Sequence, residues 1–255
     1  MEEIHIGMLL FLIIAGFTAA FIDSVVGGGG LISLPALLFT GLPPQMALGT
    51  NKLASAMGSL TSSISFLRHG KINKALMAKL LPLSIIGSAI GVYVVQKIPS
   101  DKLKPLILII LIIVTIYTLT KKEWGLTSTF KGMTKKKAIF AVGIVALIGF
   151  YDGFLGGGTG SFFLFAFLLM GFDFIESAGN AKVLNFGSNI TALIVFMYYD
   201  SIYYQYGIPM GIAMVAGALI GSRVAIKKGS SYVKVLFVLV SVVLIGKNIY
   251  DHFFS

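Results

Sequence analysis

The sequence predicts an all-α polytopic membrane protein made of two pseudo-symmetric repeats, inverted relative to each other, with eight to ten transmembrane segments. Three observations predict it. Of the 255 residues, 56% are hydrophobic and only 12% charged, against about 25% charged in a soluble domain. The apolar residues fall into long runs separated by short polar loops. The second half of the chain repeats features of the first at a nearly constant offset.

The apolar runs, in order, cover Ile6–Ile22, Leu31–Leu42, Met46–Leu67, Leu76–Val95 and Leu106–Leu119, then Ala138–Tyr151, Phe154–Met170, Val183–Tyr199, Ile208–Ala225 and Val233–Ile249. About 20 residues are needed for a helix to cross a bilayer. Most runs approach that length, whereas Leu31–Leu42 is short and Ala138–Tyr151 marginal. Glu2 and Glu3 stand where a cleaved signal would be positive, so the first run reads as a retained membrane segment.

An offset of 130 residues pairs Gly49 with Gly179, Lys52 with Lys182, Gly87 with Gly217, Gly91 with Gly221, Ser100 with Ser230 and Lys104 with Lys234. An offset of 129 pairs Asp23 with Asp152, Gly27 with Gly156 and Gly28 with Gly157. The repeats are therefore expected at 1–119 and 138–255, joined by a polar cytoplasmic linker at 120–137.

The net charge is +10, and its positives cluster between apolar runs. They read as topology signals, not as a nucleic-acid surface. Arg68, Lys71, Lys74 and Lys79, the linker lysines, and Arg223, Lys227, Lys228 and Lys234 place their loops in the cytoplasm. The loop 198–207 has no Lys or Arg and five Tyr, as an outer interfacial belt would. Equivalent loops thus face opposite sides, which makes the repeats inverted and puts both chain ends outside the bacterial inner membrane. Lys97, Lys102 and Lys104 fall on the outer side and run against this scheme.

Most charges lie in loops or at segment ends. Asp23, Lys52, Asp152 and Lys182 lie within apolar surroundings at matching places in the two halves, with Asp173 and Glu176 nearer an edge. An intramembrane charge costs a few kcal/mol and usually marks a transport path. The plainer alternative is that each Asp–Lys pair staples helices. Two glycine runs, Gly27–Gly30 and Gly156–Gly158 followed by Thr159, interrupt the apolar pattern at matching places. Paired interruptions of this kind point to a transporter's binding site, and the helix starting after each break offers free N–H groups to an anion. Tight packing through small residues is the rival explanation. Asn51 and Asn180 stand beside the lysines and could complete an anion cage with them. The substrate-contact candidates are thus Asn51, Lys52, Asn180, Lys182, Gly28, Gly29, Gly30, Gly157, Gly158 and Thr159; Asp23 and Asp152 are the proton-coupling candidates. Asn185, Ser188 and Asn189, with Ser55, Ser59 and Ser62, line a polar path or bridge helices.

The chain has no Cys and three widely spaced His, so no thiol chemistry, transition-metal site or cofactor is expected. No nucleophile–base constellation suggests an enzyme. The stretches GFTAAFIDSVVGGGGLISLPALLFTGLPPQMALGTNKLASAMGS, GFYDGFLGGGTGSFFLFAFLLMGFDFIESAGNAKVLNFGSN and GALIGSRVAIKKGS resemble the TauE/SafE family of sulfite-exporter-like permeases over nearly the whole chain. The chain departs from the family pattern at Gly157, where Pro is usual. The resemblance implies a multi-pass plasma-membrane permease, usually described with about eight helices, for sulfite, sulfonates or related sulfur-containing anions and organic acids.

The reading that emerges is a transporter of a small anion working by alternating access, with Asp23 and Asp152 as candidates for proton coupling and with sodium coupling and uniport left open. Its partners are the anion and the lipid bilayer, with room for a homo-oligomer. An anion channel and a structural membrane subunit are the alternatives.

Overall fold

The structure, a computed structural model, describes residues 6–119 and 127–229. Among the described residues there are nine α-helices: α1 (Ile6–Val26), α2 (Gly30–Phe39), α3 (Pro44–Arg68), α4 (Lys74–Val95), α5 (Ser100–Leu119), α6 (Lys135–Phe154), α7 (Thr159–Met170), α8 (Phe174–Tyr198) and α9 (Tyr204–Lys228). The expected segment Val233–Ile249, the linker residues Lys121 and Lys122, Ser230, Lys234 and both chain ends lie outside the described residues.

Two boundaries differ from the sequence expectation, each for a local reason. The run Phe154–Met170 is not one segment: α6 continues to Phe154 and the chain breaks before Thr159. Helix α8 starts well before Val183, because the Asp173 side chain accepts from the backbone N–H groups of Ile175 and Glu176, both at 2.8 Å, and so caps the free donors of a first turn. Asn73 caps α4 in the same way through Leu76 N–H.

Among the described residues, five helices, α1, α4, α6, α8 and α9, are long and apolar enough to cross a membrane. Helix α3 has the length but not the apolarity. Its buried side includes Thr50, Asn51, Lys52, Ser59 and Ser62, which protein shields from lipid, since α3 packs between α8 and α9.

The glycine breaks make two helical hairpins. At the first, Gly27 and Gly28 take φ of +78° and +86°, a region open to glycine at little cost. Helix α2 then runs back along α1, bringing Phe39 to 5.7 Å from Phe11. At the second, Gly156 and Gly158 take φ of +79° and +83°. Helix α7 returns along α6, with Phe162 5.3 Å from Tyr151 and Lys137 Nζ donating to Met170 O at 2.8 Å. Gly157 between them stays out of the left-handed region. The two tips meet: Gly27 abuts the backbone of Gly160 and Ser161, and Gly30 abuts Gly156 and Gly157.

The helices form two sets. Gly16 lies on Met210, and Gly217 and Gly221 lie on Phe17 and Phe21; Gly207 lies on Thr50 and Leu53, and Gly58 on Met214. Helices α1, α3 and α9 therefore run in one direction. Gly149 and Gly153 lie on Ser84 and Ser88, and Gly187 on Leu81, so α4, α6 and α8 also run together. The sets oppose each other, because Gly49 meets Phe196 and Ser201 whereas Gly179 meets Phe66 and Lys71. Small residues let these backbones close in, as membrane helix contacts require.

Opposed directions sort the loops. One end gathers the α3–α4 turn, the segment before α6 and the α7–α8 turn, tied by Asn73 N–H to Asn180 Oδ1 (2.8 Å) and Thr129 N–H to Gly171 O (2.7 Å). It carries Arg68, Lys71, Lys74, Lys131, Lys135, Lys136 and Lys137, and the end of α9 adds Lys227 and Lys228. The other end joins Gln45 to Ile98 O (2.8 Å) and Gln96 to Ser201 (3.1 Å) and bears Lys97 and Lys102.

Candidate functional site

Asp23 and Asp152 sit in the last turns of α1 and α6, just before each hairpin tip. Lys52 and Lys182 project from α3 and α8, which pass each other in opposite directions at the centre. Each lysine finds the acid of the other half. Lys52 Nζ lies 2.9 Å from Asp152 Oδ1, and Lys182 Nζ lies 2.6 Å from Asp23 Oδ2. An isolated charge in this medium would be prohibitive, and pairing is what makes burial tolerable.

The two pairs are not equivalent. The Lys52–Asp152 side chains are 1% and 2% exposed, whereas Asp23 retains 20%. Asp23 is fully engaged, because its Oδ1 also accepts from Gly29 N–H at 3.2 Å. Asp152 has no such contact: its Oδ2 is buried without a hydrogen-bond partner. Lys52 has a second acceptor, Asn189 Oδ1 at 3.1 Å, and Asn189 Nδ2 donates to Asn185 Oδ1 at 3.0 Å.

Between the pairs lies a cavity of about 30 Å³, enough for one or two waters. Of the residues singled out in the sequence, it is lined by Asp23, Asp152, Gly29, Gly30, Asn51 and Thr159. Lys52 and Lys182 stand behind their carboxylates. Gly28 and Gly158 shape the hairpin turns, and Gly157 O accepts from the Tyr151 hydroxyl. Ser55, Ser59, Asn185 and Asn189 also line the cavity; Ser62 bonds Ser24 at 2.6 Å and Ser188 holds α4 through Ser88.

Asn180 is elsewhere. Its Oδ1 accepts from Asn73 N–H, the cap of α4, at 2.8 Å. Thr50 Oγ1 accepts from Tyr203 N–H, the residue before α9, at the same distance. These two side chains do the same work at opposite ends of the molecule, and Asn51 has Ala181 in its matching place. Ser33, on α2, lines the cavity without having been signalled by charge, spacing or offset.

Long apolar helices, tip-to-tip hairpins and buried ion pairs around an interior cavity define a multi-pass membrane protein. The family model described as "Sulfite exporter TauE/SafE" matches residues 12–248, and the chain belongs to that family. It is 38% identical over 245 residues to "Probable membrane transporter protein ORF9" of a Sinorhizobium species, covering 96% of this chain and 93% of the relative. It is 35% identical to "Probable membrane transporter protein" of Haemophilus influenzae, covering 98% and 97%. A third relative, "Probable membrane transporter protein YfcA" of Escherichia coli, is 34% identical with 96% and 90% covered. No solved structure matches significantly. The chain is thus a probable membrane transporter of the TauE/SafE family.

Proposed function

We propose that the protein moves a small anion, a sulfur oxyanion, sulfonate or organic acid, across the bacterial inner membrane by alternating access between two inverted repeats, 1–119 and 138–255. The observation that carries this is the pair of buried lysines, each held by an aspartate of the other half, beside a small cavity where two opposed hairpins meet. The opposed directions of α3 and α8, and of α4 and α9, support the inverted arrangement. The gathering of basic residues at one end supports a cytoplasmic assignment for that end and an outer location for the chain's beginning.

The starts of α2 and α7 lie at the cavity through Gly29, Gly30 and Thr159, where helix dipoles favour negative charge. Two lysines and two aspartates balance, so the resting site is neutral. An anion displaces a carboxylate from its lysine, and a proton taken up by Asp23 or Asp152 makes that displacement cheap. Anion and proton movement are coupled through this exchange.

Reconstituted protein should carry one or more of sulfite, thiosulfate, a sulfonate or a small carboxylate into proteoliposomes. Lys52→Met and Lys182→Met should each abolish that flux. Undiminished flux in both variants would end the lysine-site reading.

A further inference from the structure

Beside the helix starts that favour an anion, the cavity wall also carries oxygens that call for a different guest. Three side chains that line it, Asp152, Asn51 and Ser33, are 1%, 2% and 0% exposed. Each has a buried oxygen without a hydrogen-bond partner: Asp152 Oδ2, Asn51 Oδ1 and Ser33 Oγ. Buried polar atoms are nearly always satisfied, and an orphan asks for an explanation. A carboxylate and an amide oxygen can only accept, and a hydroxyl can turn its lone pairs the same way. The guest that satisfies all three is positively charged or hydrogen-donating, and a cavity of about 30 Å³ has room for a small ion with a water.

Resting on the transport reading above, we propose that these three oxygens, with water completing the shell, hold a sodium ion, which loads before the anion and raises the site's affinity for it. One carboxylate, one amide and one hydroxyl oxygen form a hard-donor set suited to a cation of this kind. Asp152 Oδ1 is occupied by Lys52 while Oδ2 is free, so the ion can bind without breaking the pair. The charge balance then supplies the coupling. Sodium takes the neutral site to +1, and a monovalent anion returns it to neutrality. A net charge is costly in this low-dielectric centre, so each ion raises the affinity for the other by the same factor. The inequivalence of the two acids follows. Asp152 serves sodium, whereas the more exposed and fully bonded Asp23 is left to the proton.

The test uses full-length protein in proteoliposomes, with sulfite as the probe anion, pH clamped on both sides, and sodium, potassium or choline at constant ionic strength. Sodium should raise sulfite flux about tenfold over choline, within the usual range of coupling between sites, and labelled sodium should enter with sulfite. Ser33→Ala, which deletes one oxygen at almost constant volume, should raise the sodium concentration needed for half-maximal flux. Equal flux in all three cations, driven only by an imposed pH gradient, overturns the sodium assignment and leaves anion transport standing; a cavity that holds only water gives the same result. If none of sulfite, thiosulfate, a sulfonate and a small carboxylate moves under either gradient, the transport reading falls by itself. Thermal stabilisation of the purified protein then decides the cation site: a sodium-specific shift lost in Asp152→Asn supports it, and equal melting in sodium and choline overturns it.

Discussion

Lys182, on the central helix of the second half, holds Asp23, at the tip of the first hairpin, at 2.6 Å, although 159 residues separate them in the chain. The reciprocal contact between Lys52 and Asp152 locks the second hairpin to the first half. The hairpins are thus clasped by elements that arrive from the other half of the sequence, and the following outcomes depend on that clasp.

Removing one partner should harm stability more than removing both. Lys52→Met strands the Asp152 carboxylate and should cost about 3–5 kcal/mol, whereas an apolar replacement of the whole pair is often neutral. Lys52→Met with Asp152→Leu should therefore melt closer to wild type than Lys52→Met alone while still failing to transport. Lys182→Met should cost less than Lys52→Met, because Asp23 retains 20% exposure and water can solvate it. Thermal melts of the purified proteins in detergent give the comparison.

Gly27→Ala should separate the hairpin tips. A Cβ there would collide with the backbone of Gly160 and Ser161, and a left-handed φ of +78° adds roughly 1–2 kcal/mol of strain for an L-residue. Gly41→Ala carries the same backbone strain at φ +84° but faces open space. It should lose only that strain energy and keep transport. Flux and melting temperature measured side by side distinguish collision from strain.

Thr50→Val and Asn180→Leu should resemble each other. Each deletes the acceptor for the N–H of the residue that starts the next long helix, Tyr203 or Asn73. Leaving one buried donor unsatisfied costs about 1–3 kcal/mol. Both variants should be less stable, with unchanged preference among competing anions. Asn51→Ala, at the cavity wall, should alter that preference. A competition assay among sulfite, thiosulfate and a carboxylate separates the two classes.

The cysteine-free sequence allows single-cysteine labelling in intact cells. Cysteine at Lys71 or Lys131 should react only with reagents that reach the cytoplasm, and cysteine at Asp200 should react with a membrane-impermeant maleimide from outside. The reverse pattern would flip the orientation, and labelling of all three from one side would remove the opposed arrangement of the halves.

Much of this architecture was legible in the sequence because hydrocarbon punishes mistakes. Apolar runs had to be helices, and four charges within them stood out, although their pairing was only the plainer of two readings. The glycine runs gave the breaks, yet not that each break folds a helix back on itself: α1 and α6 are long enough to look like plain crossings. The partner of each lysine was hidden for a different reason. An offset of 130 says which residues are equivalent, not which ones touch. Asn180 shows the limit of spacing arguments, since one residue along a helix turns the side chain by about 100°. That turn separates the cavity wall, where Asn51 lies, from the buttress of the next helix, where Asn180 and Thr50 lie. Ser33 had no counterpart and no charge to betray it; only the folded hairpin puts its hydroxyl at the centre.

Because every acid at the centre is answered by a base from the opposite half, neither half expressed alone contains a finished acid–base couple.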